Sequence, residues 1–372
     1  MIYLDNAATS FPKPASVIKE LNFCLKKYCG NPGRSSHSIS LKSSEAIYSA
    51  REKIASMLSV DAAEQVVFTY NATYALNLAI KTFITEKCHI LTSDFEHNSV
   101  IRPLNKLKNS IGIDYSSFSS EGDIEGNIRK AIRPDTRGIV CSIASNVCGY
   151  TLPLGILSKI SAEKGLFLII DASQAVGHTK INLTENPVDV LCAPGHKALF
   201  GIQGCGFAYF KDKRRKDSFI EGGSGSDSAS LVMPELLPEA YEAGTLSTPA
   251  IVSLGRGVQF VEDVGIENIE DRLTMLTDMM AARLQSINKV RLYKTGIGLI
   301  SFNIRDIPSS AVATELDKYG ICVRGGLHCA PSIHTRLGTL TQGAVRLSFS
   351  YLNNERDVER AFIAIREIAE NL

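Results

Sequence analysis

The chain has almost no net charge, no long apolar run and no paired cysteines, and each absence removes a class of function. Forty Lys and Arg stand against thirty-nine Asp and Glu, a formal net charge of +1, and no basic block of the kind that tracks a phosphate backbone occurs. Nucleic acid is therefore not an expected partner. The most continuous apolar stretch, residues 166–170, is far too short to span a bilayer, and the start of the chain has an acid at Asp5 and no basic leader. No membrane anchor or export signal is expected, and the expected location is the cytoplasm. Nine cysteines, an odd number, are scattered without a CxxC pair and without His/Cys clusters at zinc spacing. Neither a disulfide scaffold nor a bound metal is expected, and most of the thiols should be small buried hydrophobes in a reducing compartment. With no internal repeat and no low-complexity tract, solenoid and disordered readings also fall away. What remains is a globular chain of 372 residues, 44% apolar and 21% charged, with a mean hydropathy of +0.03. That length fits about two domains.

Pro14 precedes an apolar stripe at Val17, Ile18, Leu21, Cys24, Leu25 and Tyr28 that stops at Gly30, which predicts a helix with clear ends. The turn-rich Gly30-Asn31-Pro32-Gly33-Arg34-Ser35-Ser36-His37 predicts an exposed loop. Short β-rich runs at 66–69, 89–91, 138–143, 166–170, 188–192 and 207–210 then alternate with helical segments. Near-continuous apolar strands between helices predict an α/β fold with a mostly parallel sheet covered on both faces. Gly, Ser and Pro concentrate over 221–250, and the large domain is expected to end shortly after that stretch. Beyond it come a long helix over 265–287, strands near 298–303, 321–323 and 344–350, and a last helix. Asn354 caps that helix, and Val358, Ala361, Phe362 and Ile365 share one face. These elements predict a smaller α+β domain.

Ligands of open α/β sheets bind beyond the carboxyl ends of the strands, so the residues just after each strand carry the functional signal. After 66–69 comes Asn71-Ala72-Thr73 at the start of a helical stripe, where free backbone N–H groups and the helix dipole favour an anion. The strand at 166–170 ends in Asp171-Ala172-Ser173-Gln174, and that at 188–192 is followed by Pro194-Gly195-His196-Lys197. Taken singly these are ordinary: a capping turn, a capping acid, a solvated lysine. Together they match the needs of pyridoxal phosphate chemistry: a lysine for the Schiff base, a carboxylate facing the pyridinium nitrogen and a helix N-terminus for the phosphate.

Further motifs share this order: Tyr3-Leu4-Asp5-Asn6-Ala7-Ala8, Glu96-His97-Asn98-Ser99, Ser145-Asn146, Glu242-Ala243-Gly244-Thr245, Arg324-Gly325-Gly326-Leu327-His328-Cys329-Ala330 and Val345-Arg346-Leu347-Ser348. Over essentially its whole length the chain resembles the class V aminotransferase group of fold-type I pyridoxal phosphate enzymes, and within it the cysteine desulfurases and selenocysteine lyases. The resemblance implies a large domain over 15–250 with a mostly parallel seven-stranded sheet. It also implies a small C-terminal domain over 251–372 carrying a reactive cysteine loop, with an N-terminal segment, 1–14, packed on that domain. Residue by residue, it implies that Lys197 forms the Schiff base, His97 stacks on the ring, and Asp171 holds the pyridinium nitrogen protonated. Asn146 and Gln174 would bond the ring hydroxyl or the substrate. Thr73, the amide of Ala72 and His196 belong to the cofactor's surroundings, and Thr245 would reach the phosphate of a neighbouring subunit in a homodimer. Arg346 would clamp the substrate carboxylate in a bidentate fork, with Arg324 and His328 as further substrate contacts.

Cys329 separates sister activities, because an aminotransferase needs no thiol, whereas a desulfurase needs a thiolate to take the sulfur of L-cysteine as a persulfide and release L-alanine. Its glycine-rich surroundings beside His328 and Arg324 are expected to favour thiolate, and the compact spacing resembles group II enzymes. Two departures stand out: Leu327 occupies the place of a second histidine, and Pro194 stands where relatives carry a Ser or Thr for the phosphate. The alternatives are a selenocysteine lyase acting on L-selenocysteine, a class V aminotransferase, and a cofactor-independent thiol hydrolase built on Cys329 and His328. A sulfur-acceptor protein, for iron–sulfur cluster assembly or another route of sulfur mobilisation, is an expected partner.

Overall fold

The computed structural model describes all residues except 34–35, 214–218, 227 and 372, so the Arg34-Ser35 part of the expected loop lies outside the described residues. The chain opens with β1 (Ile2–Tyr3). It then builds one seven-stranded sheet from β2 (Val66–Thr69), β3 (His89–Ser93), β4 (Asp114–Phe118), β5 (Thr136–Ser142), β6 (Phe167–Asp171), β7 (Val190–Pro194) and β8 (Gly206–Phe210). The order is β2-β8-β7-β6-β5-β3-β4, with β7 to β4 parallel and β8 antiparallel to both neighbours. Every residue of β2, β7 and β8 is buried, which is why these strands read as unbroken apolar runs. Side chains alternate between two cores: along β6, Leu168 and Ile170 enter one and Ile169 the other. The edge strand β4 carries Asp114, Ser116 and Ser117 and is partly exposed, so it has no apolar signature and exists through its pairing with β3.

The second sheet, β12-β13-β10-β9, is antiparallel and is made of β9 (Val290–Leu292), β10 (Leu299–Ile304), β12 (Arg324–Gly326) and β13 (Ala344–Ser348). β11 (Ile321–Cys322) pairs in parallel with β1, and Asp5 bridges to Ser348, so the first residues of the chain are threaded into the C-terminal part of the structure. Helix Glu355–Asn371 starts as its sequence predicts, with Asn354 Oδ1 accepting from the N–H groups of Arg356 and Asp357 at 3.0 and 3.2 Å. Helix Thr248–Val264 runs through residue 250 and packs against helices Ala15–Lys27 and Ser38–Met57. Gly257 lets it seat closely, since a Cβ there would collide with the carbonyl of Leu199, two residues beyond Lys197. No helix among the described residues is long and apolar enough to cross a membrane.

Candidate active site

The carboxyl ends of the central strands open into a cleft of about 230 Å³, closed by Ala7 and Ala8 on one side and by Arg324, His328 and Arg346 on another. All the predicted site residues line it except Thr245 and Cys329.

Its floor begins at the turn after β2. Asn71 caps helix Ala72–Phe83, its Oδ1 accepting from the Tyr74 N–H at 2.9 Å. The cap leaves the amides of Ala72 and Thr73 at a helix end that has no acceptor of its own for them. Strand β8 passes close behind: a Cβ on Gly206 would lie 2.8 Å from the Asn71 carbonyl carbon and 3.0 Å from the Ala72 nitrogen, so glycine is required there. The Thr73 hydroxyl bonds Ser99 Oγ at 2.8 Å, and Ser99 Oγ lies 2.9 Å from His97 Nδ1. His97 caps helix Asn98–Ile111, with Nδ1 accepting from the Ser99 N–H at 3.1 Å. That contact leaves the ring's proton on Nε2 in the neutral form. Burial keeps it neutral, with Lys197 lowering its pKa further against the opposing effect of Asp171.

Asp171, at the end of β6, is buried and accepts from the Ser173 N–H at 2.9 Å. Lys197 follows β7, and burial brings its ammonium pKa down to about 8, against the opposing effect of Asp171 and aided by Arg346 and Arg324. An amine so lowered is available as a nucleophile or base near neutrality. The lysine turn is fixed by the N-terminal segment. The His196 carbonyl accepts from the Ser10 N–H at 3.0 Å, the Thr9 hydroxyl at 3.1 Å and the Lys13 ammonium at 3.0 Å. The Gln174 amide donates to the Ala7 carbonyl at 3.0 Å. His196 Nδ1 itself is buried without a partner.

Arg346 is 1% exposed. Its Nη2 meets Asp5 Oδ1 at 2.6 Å, its Nη1 donates to the Asn146 carbonyl at 2.9 Å, and its Nε is buried with no partner. Arg324 lies opposite it in the β12/β13 register, so two guanidinium-bearing residues share this corner with one carboxylate, Asp5. An orphaned donor on a buried arginine marks where an acceptor belongs.

Cys329 is exposed, and the loop that bears it is held at two points, by Asn146 and Asn98. The Asn146 amide donates to the His328 carbonyl at 2.7 Å, and the Asn98 N–H donates to the Cys329 carbonyl at 2.7 Å. His328 and Cys329 have φ of 51° and 57°, a left-handed pair costing roughly 1–2 kcal/mol each. Such strain persists only where the surroundings impose it. The His328 ring turns inward, with Nδ1 3.4 Å from His334 Nε2 and Nε2 3.2 Å from the Arg324 carbonyl, and burial with Arg346 holds it neutral. The imidazole that adjoins Cys329 in sequence is therefore buried and neutral.

Helix Pro331–Leu337 continues from this loop, and its Arg336 is a residue the sequence did not single out. Arg336 bonds Asp94 at 2.6 Å and Ser120 Oγ at 2.8 Å, pairs with Glu121, and lies 4.0 Å over the Tyr150 ring. Thr245 is exposed in a separate hollow beside Thr69 and Tyr70, just beyond Glu242, whose carboxylate forms a buried bidentate pair with Arg51 at 2.8 and 2.9 Å.

The model of the "Aminotransferase class-V" family matches residues 2–361. The chain belongs to the class V aminotransferase family. A probable cysteine desulfurase of Methanothermobacter thermautotrophicus is 29% identical over 99% of this chain and 94% of its own. One of Halalkalibacterium halodurans is 30% identical over 96% and 91%. The apo structure of a cysteine desulfurase from Thermococcus onnurineus superposes with a TM-score of 0.93 at 28% identity, covering 100% of this chain and 95% of that one. Class V aminotransferases generally use pyridoxal phosphate, and the residues present fit that group. The free amides after Asn71 and the unpartnered His196 Nδ1 suit a phosphate, Asp171 a pyridinium nitrogen, and Lys197 an aldehyde.

Proposed function

We propose that this protein is a pyridoxal phosphate-dependent cysteine desulfurase that converts L-cysteine to L-alanine and takes the sulfur as a persulfide on Cys329. The observation that carries the reading is one cleft holding Lys197, Asp171 and the orphaned Nε of Arg346, with an exposed cysteine on a strained loop tied to that cleft. When bound, pyridoxal phosphate supplies an electron sink that labilises the bonds at the substrate's α-carbon. Ala72, Thr73 and His196 would hold its phosphate, His97 would pack on its ring, Asp171 would hold its nitrogen protonated, and Asn146 and Gln174 would bond its hydroxyl or the substrate. Arg346 receives the substrate carboxylate on Nε, the donor that Asp5 and Asn146 leave free, with Arg324 and His328 completing that wall. Lys197 Nζ removes the α proton and later returns a proton to the product. Cys329 Sγ attacks the substrate sulfur, so a thiol and L-cysteine become a persulfide and L-alanine with no external oxidant.

Thr245, exposed and outside this chain's own cleft, completes the phosphate site of a second copy in a homodimer. Residues 15–250 act as the cofactor-binding domain and 251–372 as the small domain, with 1–14 closing the cleft. The persulfide passes to a sulfur-acceptor protein in the cytoplasm.

The test is the visible spectrum of the protein before and after L-cysteine, with alanine and sulfide assayed in the same sample. A cofactor band that changes while both products accumulate is expected. Cys329→Ser should keep the band and lose sulfide release, and full turnover by that variant would sink the role given to Cys329. Turnover with L-selenocysteine alone would identify a lyase, and turnover with amino donors that is indifferent to Cys329 an aminotransferase. A colourless enzyme unaffected by hydroxylamine would leave the thiol hydrolase.

A further inference from the structure

The carboxyl group of Glu96 has no role in the reaction above, yet it sits directly behind it. It is 0% exposed. Three donors converge on it, the Ser93 N–H at 3.2 Å, the Ser93 hydroxyl at 2.5 Å and the Ser142 N–H at 2.9 Å, and the Ser142 hydroxyl oxygen lies 2.9 Å from its Oε2. Ser142 ends β5 in register with Asp171 at the end of β6, and it lines the cleft. Its hydroxyl also lies 3.5 Å from Asp171 Oδ2. One hydroxyl carries one proton, so two buried carboxyl groups compete for it. Asp171 and the Cys141 thiol face Glu96, which forms no ion pair among the described residues. Two carboxyl groups in such surroundings do not both ionise readily, and the one that meets a cation keeps the charge. Burial raises the Glu96 pKa to about 7 against the hydrogen bonds with Ser93 and Ser142, with Asp171 adding to the rise.

We propose that Glu96 is a positioning residue that works as a neutral acid: it donates its proton to the Ser142 hydroxyl, which turns its own proton to Asp171. The inference rests on the assignment of Asp171 to the pyridinium nitrogen. A charged Glu96 would raise the proton affinity of Asp171 and draw the ring proton onto the protein, weakening the electron sink. A neutral Glu96 relayed through Ser142 holds Asp171 as the anion of the pair.

Two arms test it. Infrared spectroscopy of the cofactor-free protein at about pH 6 should show a protonated-carboxyl band that Glu96→Gln removes, and its absence from the wild type overturns the proposal. The second arm loads the protein with pyridoxal phosphate isotopically labelled at the ring nitrogen and reads that nitrogen's chemical shift. Glu96→Gln, neutral and able to donate to the same hydroxyl, should keep the wild-type shift. Ser142→Ala should move the signal toward the unprotonated position and lower kcat about tenfold with KM less affected. A Glu96→Gln signal displaced as far as that of Ser142→Ala, or an unmoved signal in Ser142→Ala, overturns the proposal. The infrared arm needs no cofactor, so a wrong protonation state and a wrong cofactor assignment fail separately.

Discussion

Removing Asp5 should destabilise the protein and at the same time open its carboxylate site. Arg346 is 1% exposed and its side-chain carboxylate partner is Asp5, itself one-fifth exposed, at 2.6 Å. Deleting one member of a buried pair strands the other charge, at a cost of about 3–5 kcal/mol. The partial exposure of Asp5 and the Asn146 carbonyl on Nη1 place Asp5→Ala at the lower end, about 3 kcal/mol. At roughly 2 °C per kcal/mol for a chain of this size, the melting temperature should fall by about 6 °C. An amino-acid carboxylate can then take the vacant place. L-Alanine at about 100 times its Kd returns about 2.7 kcal/mol, and at a fixed concentration it should stabilise Asp5→Ala more than the wild type. Thermal scans of the cofactor-loaded protein with and without L-alanine measure both effects. Made on an Arg346→Met background, Asp5→Ala should cost under about 1 kcal/mol, because no charge is stranded. An unchanged melting temperature, or a loss equally large without Arg346, would refute the reasoning.

Two further outcomes follow from named contacts. With a pKa near 8, about a tenth of Lys197 is free amine at pH 7, so capture of the cofactor's aldehyde should quicken with pH and level off above about 8. A rate still climbing tenfold per unit beyond about pH 9 would contradict the lowered pKa. Between the folded value of about 8 and the unfolded value of 10.5, only the unfolded chain holds this proton, so the penalty from Lys197 relaxes as pH rises through that window. Arg336→Ala should loosen the loop carrying Cys329, leaving the cofactor spectrum intact while slowing persulfide formation about ten- to a hundredfold. Hydrogen exchange at 327–330 should quicken, and unaltered persulfide kinetics would dismiss the latch.

The sequence showed what is local or fully buried. β2, β7 and β8 are apolar throughout and were legible as strands, and Asn354 marked its helix start. β4 was invisible because its outer position admits Asp114, Ser116 and Ser117. Most of the cleft residues lay at strand ends within recognisable motifs. Asp5 also lay within one, but nothing local shows that its carboxylate meets an arginine 341 residues away. Arg336 had no motif at all, since its meaning comes from Asp94, Ser120 and Tyr150 on other elements. His328 adjoins Cys329 in sequence, but nothing local shows that its ring lies against His334.

The threading of the first residues through the last strands also sets a timetable for synthesis. Ile2 pairs with Ile321, Asp5 bridges Ser348, and Thr9, Ser10 and Lys13 hold the His196 carbonyl. At about 5–20 residues per second, a ribosome needs roughly 20–70 s after making Asp5 to supply Arg346. For that interval the N-terminal segment lacks its partners in β11 and β13, and the cleft lacks one wall. The cleft is thus incomplete until the chain is almost finished, and a product truncated before β13 would carry Lys197, Arg324 and Cys329 but neither Arg346 nor the strand that Arg324 pairs with.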